Sequence, residues 1–371
     1  MKSIASVMVA LIGVFVASAE AATRPVTDCP LRNEPFSVAS PLIDIFLSPA
    51  AKAIVDQEIP GRFSKLPLDV TQTRAPSFGS ILTLGEGRFM LGIQPEELAR
   101  IDASLRRLPV TSADKIARCE RYDNETPELS VPAGRPRILL FDKITGFRDN
   151  VSVEAAKAAF SGIAQRRNWG LVGTDKGGAI NTAVLKQFDV VIWNNISGDV
   201  LTLSQRRSLR HWIERGGAFI GVHGSAGDPV YFWDWYADTL IGARFSGHPM
   251  KKHLQNARIV LEARDHPIAQ GLPDEWNLLE EWYSFKTSPR ASGARIIATL
   301  DEATYEPETW GQQSLRMGDH PIAWTRCVGR GRMFYSSIGH RPESYVDPQF
   351  VAMLESAISW AVGKDYTDCR T

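Results

Sequence analysis

From residue 137 onward, short apolar runs alternate with amphipathic stretches. RILLFD (137–142), WGLVGT (169–174), FDVVIWN (188–194) and AFIGV (218–222) have the length and residue types of buried strands. Between them, residues 152–167 place Val153, Ala156, Phe160 and Ile163 on one helical face. A second amphipathic stretch, 203–215, is stopped by Gly216-Gly217. Strands alternating with helices at this spacing predict a parallel sheet wound on both faces. ARIVLEA (257–263), ARIIATL (294–300), IAWTRCV (322–328) and GRMFYSS (331–337) extend the sheet, and the last two read as an antiparallel hairpin around a Gly-Arg-Gly turn. A helix over 350–362 closes the domain.

The pattern before residue 121 is different. Ser40-Pro41, Ser48-Pro49 and Gln94-Pro95 each resemble a helix start with Pro in the first turn. Leu98, Ile101, Leu105 and Leu108 share one helical face, and Pro109 ends it. Residues 23–120 therefore read as a small helical module. The polar, Pro-rich stretch 121–136 reads as a linker to the α/β domain at 137–366.

The first 22 residues carry a different signal. Lys2 precedes an apolar run over 4–16, too short to span a bilayer comfortably, and Ala17-Ser18-Ala19 and Ala19-Glu20-Ala21 offer small residues for cleavage. The expectation is a secretory signal peptide and a secreted, periplasmic protein that is free of the membrane after cleavage. Export makes disulfides plausible for Cys29, Cys119, Cys327 and Cys369. Four cysteines allow three pairings among which sequence does not choose; Cys29–Cys119 and Cys327–Cys369 is preferred because each pair lies in one region of the chain. No CxxC pair suggests a zinc knuckle. Forty-two basic residues balance forty-two acidic ones, which leaves no electrostatic footprint for nucleic acid or an anionic membrane.

In an open parallel sheet, ligands sit beyond the carboxyl ends of the strands. The first strand runs into Thr145-Gly146-Phe147-Arg148-Asp149, the fourth into His223-Gly224-Ser225, and the late hairpin into Ile338-Gly339-His340-Arg341-Pro342-Glu343. The histidine after AFIGV is unusual, because that apex commonly presents a Ser or Cys nucleophile. Two imidazoles at one edge could pass protons, since both titrate near neutrality, or could hold a divalent metal.

Thr145-Gly146-Phe147-Arg148, Gly221-Val222-His223, Trp233-Asp234-Trp235-Tyr236, Gly247-His248-Pro249, Glu280-Glu281-Trp282-Tyr283 and Ile338-Gly339-His340 occur in the order shown by the trehalose-utilisation (ThuA-like) family. The resemblance covers about 230 residues and leaves the helical module outside it. It implies an α/β fold with a doubly wound, mostly parallel sheet of the class I glutamine amidotransferase-like, flavodoxin-like kind. True amidotransferases carry Cys where His223 stands, and His340 matches their triad histidine. Glu343 lies one residue later than their glutamate, and Ser225 lies two past the apex. Without a thiol or hydroxyl at the apex no thioester forms, so glutaminase activity is not expected. The family's first motif usually continues from Gly-Phe-Arg to His; this chain has Asp149.

The resemblance implies a carbohydrate substrate: trehalose-like disaccharides, or keto-sugars supplied by a partner sugar oxidoreductase. His223, His340, Glu281 and Asp149 are the expected catalytic residues. Arg148, Trp233, Asp234, Trp235, Tyr283 and His248 are the expected substrate-binding residues, since flat aromatic faces stack on sugar C–H faces. Core packing is the competing reading for the aromatic run at 231–236. A divalent metal, zinc by ligand type, is the cofactor expectation, held by His223, His248 and His340 with His253, His320 or Glu281 as further ligands. His211 and His266 read as structural. The function expected is an isomerase or lyase using histidine acid–base chemistry, or a metal-dependent hydrolase. The alternative is a sugar-binding protein without catalysis.

Overall fold

The computed structural model describes residues 25–309, 313–363 and 369. The signal-peptide reading at 1–22 lies outside them, as do residues 364–366 of the predicted domain. The strands are β1 (Arg137–Phe141), β2 (Gly170–Thr174), β3 (Val190–Asn194), β4 (Ala218–Val222), β5 (Phe245–Gly247), β6 (Gln255–Leu261), β7 (Glu275–Glu280), β8 (Ser284–Phe285), β9 (Arg295–Leu300), β10 (Pro321–Val328) and β11 (Gly331–Ser336). The helices are α1 (Leu42–Leu47), α2 (Pro49–Glu58), α3 (Leu68–Thr71), α4 (Pro95–Arg107), α5 (Ser112–Cys119), α6 (Asn150–Arg167), α7 (Thr182–Leu185), α8 (Leu203–Glu214) and α9 (Pro348–Val362).

Nine strands form one sheet in the order β2-β1-β3-β4-β11-β10-β9-β6-β7, and β5 pairs with β8 apart from it. Pairing is parallel from β2 to β11 and antiparallel from β11 outward, so β10 and β6 run against the other seven. The period-two rule decides the core. Ile138, Leu140, Val190, Ile192 and Ile220 join one apolar layer with Phe160 of α6 and Leu354 of α9. Leu139, Phe141, Val191, Trp193 and Phe219 join the other with Val184 of α7 and Leu209 of α8. The sheet is therefore covered on both faces, as continuous apolar runs require.

The sequence left β5, β7 and β8 unassigned. β7 is an edge strand with mixed burial and β8 has two residues, so neither shows clean alternation. Residues 235–241, which begin within the aromatic run at 231–236, form a π-helix.

The helical module has its own core, with Ile101 and Leu105 buried and Leu98 and Leu108 packed beside them. Pro49 and Pro95 sit at the first turns of α2 and α4. Stretch 121–136 forms no helix or strand, yet it is not a loose tether. Asp123 accepts hydrogen bonds from Gly177 N (3.1 Å) and Gly178 N (3.0 Å), and Tyr122 donates to Asp199 (2.8 Å). The module docks at the loop after β1, where Ser77 N donates to the Thr145 carbonyl (3.0 Å) and Phe78 meets Phe147 edge-on. Disulfides join Cys29 to Cys119 and Cys327 to Cys369, the preferred pairing. Among the described residues no helix is long and apolar enough to cross a membrane.

Candidate active site

The carboxyl ends of β4, β7 and β11 meet around one carboxylate, Glu281. β4 delivers His223 at a turn where its φ is +39°, a left-handed conformation rarely taken by a non-glycine residue. The loop after β11 reaches it through Gly339, whose φ is +136°. A Cβ there would stand 2.4 Å from the Tyr345 hydroxyl and 3.1 Å from His223 Cβ. Only glycine lets this loop pass close enough to bring His340 beside His223, and their ring centroids lie 5.5 Å apart.

Glu281 is buried, and imidazoles face both of its oxygens. Oε2 lies 3.2 Å from His223 Nε2 and 3.8 Å from His340 Nδ1. Oε1 lies 3.3 Å from His248 Nδ1 and is hydrogen-bonded to His253 Nε2. Burial alone would raise the carboxyl's pKa; the hydrogen bonds of His223 and His253 and the charges of His223 and His248 outweigh it and hold Glu281 far below the usual carboxylate range.

The four imidazoles differ. Burial disfavours the charged form of His223, but the hydrogen bond and charge of Glu281 prevail and raise it. His223 Nδ1 lies 2.7 Å from the Ser337 carbonyl, which can only accept, so the first proton sits on Nδ1 and Nε2 faces the site. Nε2 also meets the Tyr283 hydroxyl at 2.9 Å, and the two rings stack. His253 is raised by its hydrogen bond to Glu281. Burial lowers His340 and His248. His253 is 42% exposed, His248 24% and His340 18%, so the cluster opens to solvent.

Glu280, next in chain, is fully buried and supports the site from behind. It accepts from Gly339 N (3.1 Å), Arg341 N (3.1 Å), Glu281 N (2.9 Å) and the Ser344 hydroxyl (2.5 Å). Burial raises its carboxyl pKa. Its signal along the chain is the acidic pair Glu280-Glu281 set between apolar residues, which assigns Glu280 no role by itself.

Several expected residues take other places. Asp149 caps α6, accepting from Val151 N (3.1 Å), Ser152 N (3.4 Å) and the Ser152 hydroxyl (2.8 Å), and only its second oxygen approaches His340 Nδ1, at 3.7 Å. Arg148 donates to Asn150 Oδ1 and the Asp142 carbonyl and lines a cleft against the helical module with Arg74 and Lys143. Trp233 and Trp235 pack against the apolar layer beside α8, with Arg206 and Arg210 over their rings. Asp234 is exposed and pairs with Arg244 (2.7 Å). The π-helix turns this run away from the imidazoles, so core packing accounts for the tryptophans. Tyr283 is buried against His223 and positions that ring.

The trio His223, His248 and His340 does not form one ligand group. The structure sorts the donors into His223–Glu281–His340 and His248–His253–Glu281, each with ligand atoms within 4.8 Å of one another. His320 stands behind the site, held by Glu302 Oε1 (2.8 Å) and the Tyr283 carbonyl (2.9 Å). Glu343 pairs with Arg341 (3.1 Å), and buried Ser225 donates to the Trp193 carbonyl (2.9 Å). Neither makes a triad with His340. His211 is exposed, and His266 is buried, accepting from Ile268 N.

Residues 137–361 match the model of the ThuA family, described as trehalose utilisation. A protein described as ThuA-like from Bacteroides uniformis ATCC 8492 has a similar solved structure, with TM-score 0.54 and 23% identity over 65% of this chain and 96% of its own. Another from Parabacteroides merdae ATCC 43184 gives TM-score 0.44 and 15% identity over 61% of this chain and 90% of its own. No curated protein matches this sequence. The Bacteroides uniformis structure supports the fold.

Proposed function

Because the chain belongs to the ThuA trehalose-utilisation family, we propose that it is an exported enzyme acting on trehalose-like disaccharides or their keto derivatives. The observation that carries this reading is the placement of His223 and His340 on one oxygen of Glu281, 5.5 Å apart at the carboxyl rim of the sheet. Two imidazoles at that separation suit a substrate that must lose one proton and gain another. One ring takes the proton from the carbon beside a sugar carbonyl. The electron pair moves into the enolate and expels the glycosidic oxygen at the β carbon, and the other ring protonates that oxygen. Passage of the adjacent hydroxyl proton to the enolate oxygen and re-protonation at the former carbonyl carbon instead gives isomerisation. The ketone is supplied by a sugar oxidoreductase acting earlier. The disulfides fit export to an oxidising compartment.

Incubation of the purified protein with trehalose, lactose and their 3-keto derivatives tests this. Turnover of a keto derivative that falls at least about 100-fold in His223→Ala supports it. No turnover, or turnover undiminished in His223→Ala, counts against it.

Asp149 favours a second reading, a sugar-binding protein without catalysis. Where the family carries a histidine, this chain's carboxylate is engaged in capping α6. Calorimetric sugar binding without product on long incubation would select it.

A further inference from the structure

The buried carboxylate of Glu281 draws its counter-charge from histidines. Among the described residues, its ion-pair partners are histidines and include no Lys or Arg. A carboxylate taken out of water needs a cation beside it, which these rings supply either as imidazolium or, when neutral, by holding a metal ion. Neutral imidazoles do supply lone pairs to a metal.

The two donor groups are not equivalent. In the first, His223 is already engaged through both nitrogens, with Ser337 and with Tyr283 and Glu281, and His340 Nδ1 stands 3.8 Å from Oε2. In the second, both histidines come from the loop between β5 and β6 and converge on Oε1. Ligands 2.0–2.1 Å from a tetrahedral zinc ion are about 3.3 Å apart. His248 Nδ1 and Glu281 Oε1 are 3.3 Å apart. His253 is hydrogen-bonded to the same oxygen, and its exposed ring can withdraw to admit an ion.

We infer that His248 Nδ1, His253 Nε2 and Glu281 Oε1 bind one divalent transition-metal ion, with zinc the best match to two imidazoles and a carboxylate. His248 Nδ1 also lies 3.1 Å from the Pro249 carbonyl; ion binding takes the other tautomer, in which Nδ1 gives its proton to solvent, Nε2 takes one up and the ring stays neutral. Three protein ligands leave a fourth position for water or a substrate oxygen. The ion sits across Glu281 from His223 and His340, so these two rings remain available for proton transfer. Metal binding here stands apart from sugar turnover and is measured without it.

The full chain, stripped with a chelator and returned to metal-free buffer, is titrated with ZnCl2 by calorimetry, and retained zinc is measured by mass spectrometry after gel filtration. One zinc per chain is expected. His248→Ala and His253→Ala should each weaken binding roughly 100-fold or more, as loss of one of three protein ligands requires. His340→Ala should retain one ion. Circular dichroism checks folding, and His253→Gln replaces His253→Ala if the latter does not fold. Failure of the wild type to retain zinc would overturn the site. So would unchanged affinity in the His253 variant, or loss of the ion in His340→Ala alone, which would move it to the other oxygen.

Discussion

Glu280 and Glu281 are adjacent at the end of β7 and hold two different parts of the same site. Glu280 accepts from Gly339 N (3.1 Å) and Arg341 N (3.1 Å), fixing the backbone on both sides of His340. Glu281 faces the imidazoles, 3.2 Å from His223 Nε2. One carboxylate thus sets where His340 stands, and the other sets the charge around it.

Glu280→Ala leaves those backbone N–H groups and the Ser344 hydroxyl without this acceptor. Unsatisfied buried donors cost about 1–3 kcal/mol each, and water entering the space offsets part of that. A loss of at least about 2 kcal/mol in denaturant unfolding is expected. Proton exchange at the Gly339 and Arg341 amides should accelerate with it. Unchanged exchange would show that the loop is held by something else.

Gly339→Ala tests the close approach. The added methyl meets the Tyr345 hydroxyl and His223 Cβ in a backbone conformation that strains any L-residue. Destabilisation of about 1–3 kcal/mol is expected, with a changed His223 environment in its NMR ring resonances. A fully stable variant with unshifted His223 signals would refute the geometric argument.

Asp228 predicts a pH dependence of stability. Burial pushes its carboxyl up to about 7, against the opposing hydrogen bonds from the Ser197 hydroxyl and Gly198 N. Its folded pKa lies above the unfolded value of about 3.9. The native state therefore binds more protons between those limits, and stability falls as pH rises through them. Below the unfolded pKa the group's contribution is fully present; above pH 7 it is lost. Asp228→Asn should flatten the wild-type decline between about pH 4 and 7, read as chemical-denaturation midpoints. Parallel profiles for the two proteins would rule the group out.

The disulfide closing the longer loop, Cys29–Cys119, spans 90 residues and ties the start of the helical module to its end. Replacing both cysteines by Ser should cost about 2–5 kcal/mol by constraining the unfolded chain less. The Cys327–Cys369 bridge spans 42 and should cost somewhat less in the same chain-entropy account. Thermal unfolding of the two double variants checks the order.

Much of this architecture was legible along the chain. Buried strands such as β3 and β4 are apolar on both faces, and α6 carries its apolar stripe at helical spacing, so local pattern and burial agree. The rim positions of His223 and His340 followed from strand direction alone, since parallel strands send their carboxyl ends to one edge. Where the aromatic run 231–236 would face was not legible. A π-helix and the cations of Arg206 and Arg210 hold its tryptophans against α8, and no local pattern encodes that. Nor did spacing show that His253 lies closer than His223 to Glu281, or that Asp149 caps a helix.

The amino-acid sequence by itself determined the elements, their winding and the edge at which chemistry could gather, because these depend on short-range periodicity and strand polarity. The tertiary structure alone decided which imidazole meets which oxygen of Glu281, because that depends on loops brought together from positions 223, 248, 253 and 340. Contacts between distant segments are set by how the layers pack, and such packing leaves no period in the chain to read.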